Sequence, residues 1–270
     1  MRTEILDKGY LEIIEIWGSD KIIIETARMS TDKGFLGWLP VRECSECGCQ
    51  WRNNGDGTMS LNSMNDESCS ICESFRWDNL TPLHDGDEKL LAYLWKNCHS
   101  TPFEFAGMTI EVKAPIMVFR EWHRHRTQSY SEVSARYVPL PDDNYIPTIE
   151  RCMTGSNSMT TNRQAQSANG VALTVENSIV WLEALQQSYE AVQKTYELGL
   201  EIGIPKELAR LPLPVGRYSR MRVTANLRNW LAFLALREDI KAQYEIRVYA
   251  NEVCRLIAQN FSRTHKVFKG

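Results

Sequence analysis

No apolar run in the chain reaches the ~18 residues that a membrane span needs. The start, "MRTEILDKGYLEIIEIWG", lacks the pattern of a secretory signal. There is no excess of positive charge either. Thirty-one basic residues stand against 34 acidic ones, a formal net charge of −3, which excludes a general attraction to nucleic acid. Internal repeats are absent, which excludes a solenoid or propeller. The eight cysteines are not distributed as in a secreted disulfide scaffold, which would spread them through a much shorter chain. These absences predict a cytoplasmic protein whose arginine clusters act as local anion sites. What is present is a globular profile: 270 residues, 43% of them apolar, enough for one large domain or a core plus a small module.

The chain alternates between strand-like and helix-like patterns. "YLEIIEIWG" mixes Leu11, Ile13 and Ile16 with Glu12 and Glu15, as a half-buried strand does, and Gly18-Ser19-Asp20 reads as a turn. "DEKLLAYLWKNCHS" places Leu90, Leu91, Leu94 and Trp95 on one helical face. Met108 to Lys113 reads as a strand, with Pro115 opening a short helix. Residues 153–170 are a polar loop, a long helix is expected from about Leu173 to Leu200, and "RYSRMRVTAN" alternates as a strand. A last helix is expected from about Asp239 to Phe261. Helices mixed with a few antiparallel strands place the fold in the α+β class.

Residues 34–80 differ from the rest. They are rich in Cys, Gly, Asn, Ser and Trp and lack helical periodicity, so they read as an insertion into a catalytic domain made of 1–33 and 81–270. Cys44-Ser-Glu-Cys47 and Cys69-Ser-Ile-Cys72 are two CxxC turns with 21 residues between them, close to the zinc-ribbon spacing. Four thiolates in a tetrahedron make a closed, structural zinc site, with Cys49 an alternative ligand. Buried thiols or a redox pair are the other reading. Cys152 and Cys254 are read as packing residues.

The most concentrated chemistry lies in "RHRTQSYSEVSARY", residues 124–137, with three arginines, one histidine, one glutamate and three serines. Arginine offers a rigid cationic fork that suits phosphate oxygens, and serine adds neutral donors. Ser129-x-x-Glu132 also fits a capping box, so the same residues could simply open a short helix.

The stretch closely resembles the signature of flavin-dependent thymidylate synthases: Arg-His-Arg, seven residues, Ser, then Arg-Tyr. "HSTPFEFAGMTIEVKAPIMVFREW" resembles the family's lead-in to that signature, and "ARLPLPVGRYSRMRVTANLRNWLAFLALREDIKAQYEIRVYA" its C-terminal half. The opening, through "ARMS", resembles its first strands. The resemblance implies methylation of dUMP to dTMP, with methylenetetrahydrofolate as carbon donor, FAD as hydride carrier and NADPH as reductant. It also implies a homotetramer with shared active sites, no membrane partner and no nucleic acid. Ser30, Thr101, Glu104, Arg124, His125, Arg126, Thr127, Asn226 and Arg228 would then face FAD, with His99 near flavin and folate. Arg124 again, with Glu132, Ser134, Ala135, Arg136 and Arg210, would hold dUMP, Arg210 reaching in from a neighbouring subunit, and Arg237 would contact the uracil ring. Arg237 and Ser134 are the candidates for the chemistry. Ser134 has no adjacent base in sequence and is read as a hydrogen-bonding group. The other thymidylate synthase class uses a cysteine nucleophile, and none of the cysteines here lies in the matching motif.

Four positions depart from the family pattern. Glu121 stands for Gln, Ser131 for Asn, Phe105 for His and Ala232 for Asn. Glu121 falls on the substrate side. An ionised carboxylate only accepts hydrogen bonds and repels phosphate, so Glu121 pairs with a nearby Arg, is protonated, or signals another substrate. A different pyrimidine nucleotide, a hydroxymethyl product and a catalytically silent nucleotide-binding protein with a zinc docking module stand as alternatives.

Overall fold

The computed structural model describes residues 2–44, 49–53, 59–61, 80–153 and 173–270. They divide into two compact units, Met1–Ile16 with Gly107–Arg255, and Trp17–Ala106 with Leu256–Gly270.

The first unit is built on a five-stranded sheet. Strand β1 (Arg2–Ile5) pairs antiparallel with β2 (Gly9–Trp17), and the strand order is β1-β2-β7-β9-β8. Strand β7 (Gly107–Pro115) pairs antiparallel with β9 (Tyr218–Asn226), which pairs in turn with β8 (Ser129–Glu132). Alternation decides which face is buried. Met108, Ile110, Val112 and Ala114 on β7 are fully buried, while Thr109, Glu111 and Lys113 lie on the other face. Helix α7 (Leu227–Arg237) follows β9 directly and lays Trp230, Phe233 and Leu234 on the apolar face; the Trp230 indole N–H donates to Met108 O at 3.1 Å. Helix α8 (Tyr244–Asn260) adds Ile246, Tyr249, Ala250 and Val253. Burial of each such large side chain contributes about 1.5–3 kcal/mol. Gly9 is required by a close approach, because a Cβ there would lie 2.0 Å from the Tyr249 hydroxyl and 2.7 Å from Lys113 O.

Pro115 ends β7 and caps α3 (Ile116–Trp122), as its missing N–H and fixed φ favour. The long helix α5 runs over Val175–Glu201, with Thr174 accepting from Asn177 N, and α6 over Lys206–Ala209. A short α4 spans Ile149–Met153. Arg217 is completely buried, and its guanidinium donates to Pro141 O, Asp142 Oδ1 and Gln193 Oε1 at 2.7–2.8 Å.

The second unit contains α1 (Asp20–Arg28), α2 (Asp87–Lys96), α9 (Ser262–Lys269) and a four-stranded sheet of order β5-β4-β3-β6. Those strands are β3 (Val41–Cys44), β4 (Gln50–Asn53), β5 (Met59–Leu61) and β6 (Leu80–His84). Val41, Cys44 and Trp51 are buried in this unit. The buried Asp87 carboxylate accepts from Leu36 N at 2.8 Å and Gly37 N at 3.2 Å, and it pairs with Arg28. Asp20 at the start of α1 accepts from Arg263 N, Thr264 N and the Thr264 hydroxyl, so it caps first-turn N–H groups of α9 that have no partner within the helix.

Three sequence expectations are corrected. Asp20–Arg28 is a helix, not part of the opening strands: Ser19 accepts from Ile22 N as N-cap, and Ile23 and Ile24 are buried together. Ser129–Glu132 is a strand rather than a capped helix start, because β9 offers its edge and tertiary pairing overrides the local capping signal. The helix expected from about Asp239 to Phe261 is α8, which starts later, at Tyr244, and a further helix not read from the sequence, α9, follows the fully buried Phe261. The polar stretch 154–172 lies outside the described residues, as do three of the four expected zinc ligands, Cys47, Cys69 and Cys72.

Candidate active site

The arginine-rich stretch begins where α3 ends. Beyond Trp122 the chain turns tightly: His125 N donates to Trp122 O at 3.0 Å, and Gln128 N to His125 O at 3.2 Å. Interior bonds lock the turn. Trp122 donates its indole N–H to Gln128 Oε1 at 3.0 Å, and the Tyr130 hydroxyl lies 2.7 Å from His125 O and 3.0 Å from Trp122 O. Burial pushes the Tyr130 phenol up to about 12, which keeps it a donor. From α7, Asn229 Nδ2 donates to Thr127 O at 3.0 Å, while Asn226 caps the same helix by accepting from Asn229 N. The turn therefore rests on the first residues of α7. Arg124, Arg126 and Thr127 face outward and are exposed, and Arg228 in the first turn of α7 is also exposed.

His125 points the other way. Its ring meets Phe233 edge-on at 4.9 Å, and its Nε2 lies 2.9 Å from Arg237 Nε at the end of α7. A guanidinium can only donate, so His125 Nε2 is the acceptor and its proton sits on Nδ1. Burial, followed by the charge of Arg237, lowers the His125 pKa to about 4, against an opposing effect of Glu121. Arg237 also donates from Nη1 to Glu121 Oε2 at 2.8 Å and from Nη2 to Glu121 O at 2.9 Å. The other carboxylate oxygen of Glu121 stands 3.7 Å from Arg124 Nε. Of the readings open for Glu121, the structure shows pairing with arginine.

Farther along, β8 delivers Glu132, and a turn follows in which Tyr137 N donates to Ser134 O and Arg136 N to Ser134 Oγ. Ala135 is buried and Arg136 exposed. Helix α6 docks on this turn. Lys206 Nζ donates to Tyr137 O at 2.9 Å, and Glu207 accepts from Arg136 Nε at 3.1 Å. Arg210 follows on the same segment, exposed, with Nε 3.4 Å from Glu207 O.

The first unit thus brings together Glu121, Arg124, His125, Arg126, Thr127, Asn226, Arg228 and Arg237 around the α3–α7 junction, and Ser134, Ala135, Arg136 and Arg210 around the turn after β8. Ser30, His99, Thr101 and Glu104 are carried by the second unit. Ser30 lies on a 3-10 turn (Met29–Thr31) and Thr101 and Glu104 on another (Thr101–Phe105), while His99 is exposed and meets the Tyr93 ring edge-on at 5.6 Å. Sequence reasoning missed Asn229, Tyr130 and Glu207. The Asn226-x-x-Asn229 spacing is a legible cap signal, but the bond from Asn229 to Thr127 crosses 102 positions and leaves no local trace.

The family model described as "Thymidylate synthase complementing protein" matches residues 12–261. The chain is 30% identical over 268 residues to the flavin-dependent thymidylate synthase of Thermosipho africanus, covering 99% of this chain and 94% of the relative. It is 33% identical over 269 residues to the enzyme of the same description from Ruegeria pomeroyi, covering 98% and 72%. Among solved structures, a UMP/dUMP methylase, PolB from Streptomyces cacaoi bound with 5-Br dUMP, superposes with a TM-score of 0.69 at 25% identity over 99% of this chain and 97% of that one.

Proposed function

The chain belongs to the thymidylate synthase complementing protein family and is a methyltransferase of the flavin-dependent thymidylate synthase kind. From that premise we propose that it carries out the reductive methylation of dUMP to dTMP, with methylenetetrahydrofolate as carbon donor and NADPH as reductant. The observation that carries the proposal is the seating of Arg237 beside the Arg124–Thr127 turn. Three of its five N–H donors are committed to His125 and Glu121, leaving two for a further acceptor. A cation held in place in this way stabilises negative charge on a pyrimidine ring at N3 and O2, which raises electron density at C5.

The donor set fits FAD. Arg124, Arg126 and Arg228 are exposed cations on the turn after α3 and in the first turn of α7, and Thr127, tied to Asn229 near the start of α7, adds a hydroxyl, a combination suited to a pyrophosphate. When bound, the flavin supplies the hydride that reduces the transferred carbon. Arg136, with Ser134 and Ala135, is assigned to the nucleotide phosphate, since its only ion pair among the described residues is the exposed one with Glu207, which an anion can displace. Ser134 acts as a hydrogen-bonding group. Ser30, His99, Thr101 and Glu104 are assigned to the flavin and folate side by resemblance alone.

A second reading keeps the chemistry and changes the nucleotide. Glu121 and Ser131 depart from the family pattern, and PolB is described as a UMP/dUMP methylase. One assay separates the two. The protein is incubated with dUMP or UMP, methylenetetrahydrofolate and NADPH, and the nucleotide product is weighed. A methyl gain on dUMP is expected; methylation confined to UMP, or a hydroxymethyl gain, would replace the main reading by the second.

Further proposals concern assembly and metal. Exposed Trp181, Leu198, Ile202 and Leu211 on and beyond α5 fit a homotetramer in which Arg210 completes a neighbour's site; light scattering giving a monomer mass would refute it. No helix among the described residues is long and apolar enough to cross a membrane. The inserted-module reading of 34–80, with zinc on Cys44, Cys47, Cys69 and Cys72, rests on composition and spacing. Cys44 is buried on β3, with its N–H bonded to Cys49 O at 2.9 Å. One zinc per chain in protein purified without added metal is the expected analysis.

A further inference from the structure

Arg237 is a long, flexible side chain on the last residue of α7, and the chemistry proposed for it needs one fixed orientation. Two groups of Glu121 meet its guanidinium: the carboxylate at 2.8 Å from Nη1 and the backbone carbonyl at 2.9 Å from Nη2. The carbonyl is available for a structural reason. Helix α3 ends at Trp122, so Glu121 O is among the last carbonyls that have no partner within the helix. His125 closes the third side at Nε. The arginine is only 14% exposed, so the two charges meet largely out of water, whereas the Arg124 partner of Glu121 is 74% exposed and 3.7 Å away. A carboxylate has no donor to offer a phosphate, so a direct grip on the nucleotide does not suit Glu121.

We propose that Glu121 is the positioning residue for Arg237: its carboxylate and backbone carbonyl form a two-point seat that, with His125, holds the guanidinium ready for the pyrimidine ring. The proposal rests on the substrate reading above. An amide oxygen at the same position would accept the same bond, so the seat needs an acceptor there rather than a charge.

The test is a double-mutant cycle read by calorimetric binding of dUMP to the flavin-loaded protein. E121A is expected to weaken dUMP at least tenfold in the wild-type background and less than twofold when Arg237 is already Ala, while E121Q stays within threefold of wild type. Equal weakening in both backgrounds, no weakening, or tighter binding through relief of phosphate repulsion would overturn it. Flavin content and thermal midpoint verify folding, and E121M, closer in shape, replaces E121A if that variant does not fold. A second readout needs no nucleotide. Arg237 Nε–H holds His125 in the Nδ1–H tautomer, visible by nitrogen NMR among only five histidines. E121A is expected to mix the tautomers and E121Q to preserve one. If neither dUMP nor UMP binds wild type while His125 responds, the substrate reading fails and the seat stands. If nucleotide binds but the cycle and the tautomer are both indifferent, the seat fails and the substrate reading stands.

Discussion

A single side chain, Arg237, carries the proposed ring polarisation, and its neighbours decide how far its charge reaches. Replacing it with Ala removes a preorganised cation without touching the exposed arginines assigned to flavin. Turnover is expected to fall about 10²–10³-fold with bound flavin unchanged, measured by steady-state rate and flavin absorbance. Arg217 illustrates the opposite use of the same residue type. It is wholly buried and serves Pro141 O, Asp142 and Gln193, so Arg217→Ala would remove three hydrogen bonds and empty the space its side chain fills. A loss of about 2–4 kcal/mol in denaturant unfolding is expected from the lost hydrogen bonds and the cavity, with no specific change in nucleotide affinity. Residue type alone does not distinguish these arginines. Arg124, Arg126 and Arg136 are proposed as anion ligands because they cluster in sequence. Glu121 and His125 as partners of Arg237 are not, because 116 and 112 positions separate them.

Helices and strands set the geometry in which those side chains act. The Arg124–Thr127 turn has no regular structure of its own and is held by α7 through Asn229. Asn229→Ala should leave the α7 cap intact, since Asn226 accepts from the backbone N–H of residue 229, yet free the turn. Flavin affinity is expected to drop about tenfold, a cost near that of one lost hydrogen bond, read by flavin titration of the apoprotein. Asp20 plays the comparable part in the second unit, because its carboxylate satisfies the first turn of α9. Asp20→Ala is expected to cost about 1–2 kcal/mol, seen as a lower thermal midpoint. Strands β2, β7 and β9 and helices α2 and α5 follow from periodicity. Helix α1 and strand β8 do not, because a cap and a sheet edge outweigh a short stretch's local preference.

Across the whole molecule the pH dependence of folding follows from groups whose pKa falls on folding. His125 drops from about 6.5 to about 4, so the unfolded chain takes up its proton first. Its contribution is present above pH 6.5 and is lost as pH falls from there to about 4. Glu111, Glu245 and Glu252 are also lowered below the usual carboxylate range, despite burial, by hydrogen bonds led by Tyr10, Arg151 and Arg255 respectively. Their contributions are lost below about pH 4.5. The thermal midpoint is expected to decline from pH 6.5 downward, and His125→Asn should flatten the segment between 6.5 and 4; an unchanged profile in that variant would contradict the assignment.

The order of residues alone was enough for the class of fold, the family resemblance and the proposal that 124–136 binds anions, because each depends on local pattern: period, charge density and a contiguous signature. It could not assign partners. Glu121 reads as an intruder on a phosphate site until folding lays the end of α3 against the end of α7 and turns its carboxylate and its unpaired carbonyl toward Arg237. A hydrogen bond depends on distance in space, and no spacing along the chain encodes that distance across more than a hundred residues.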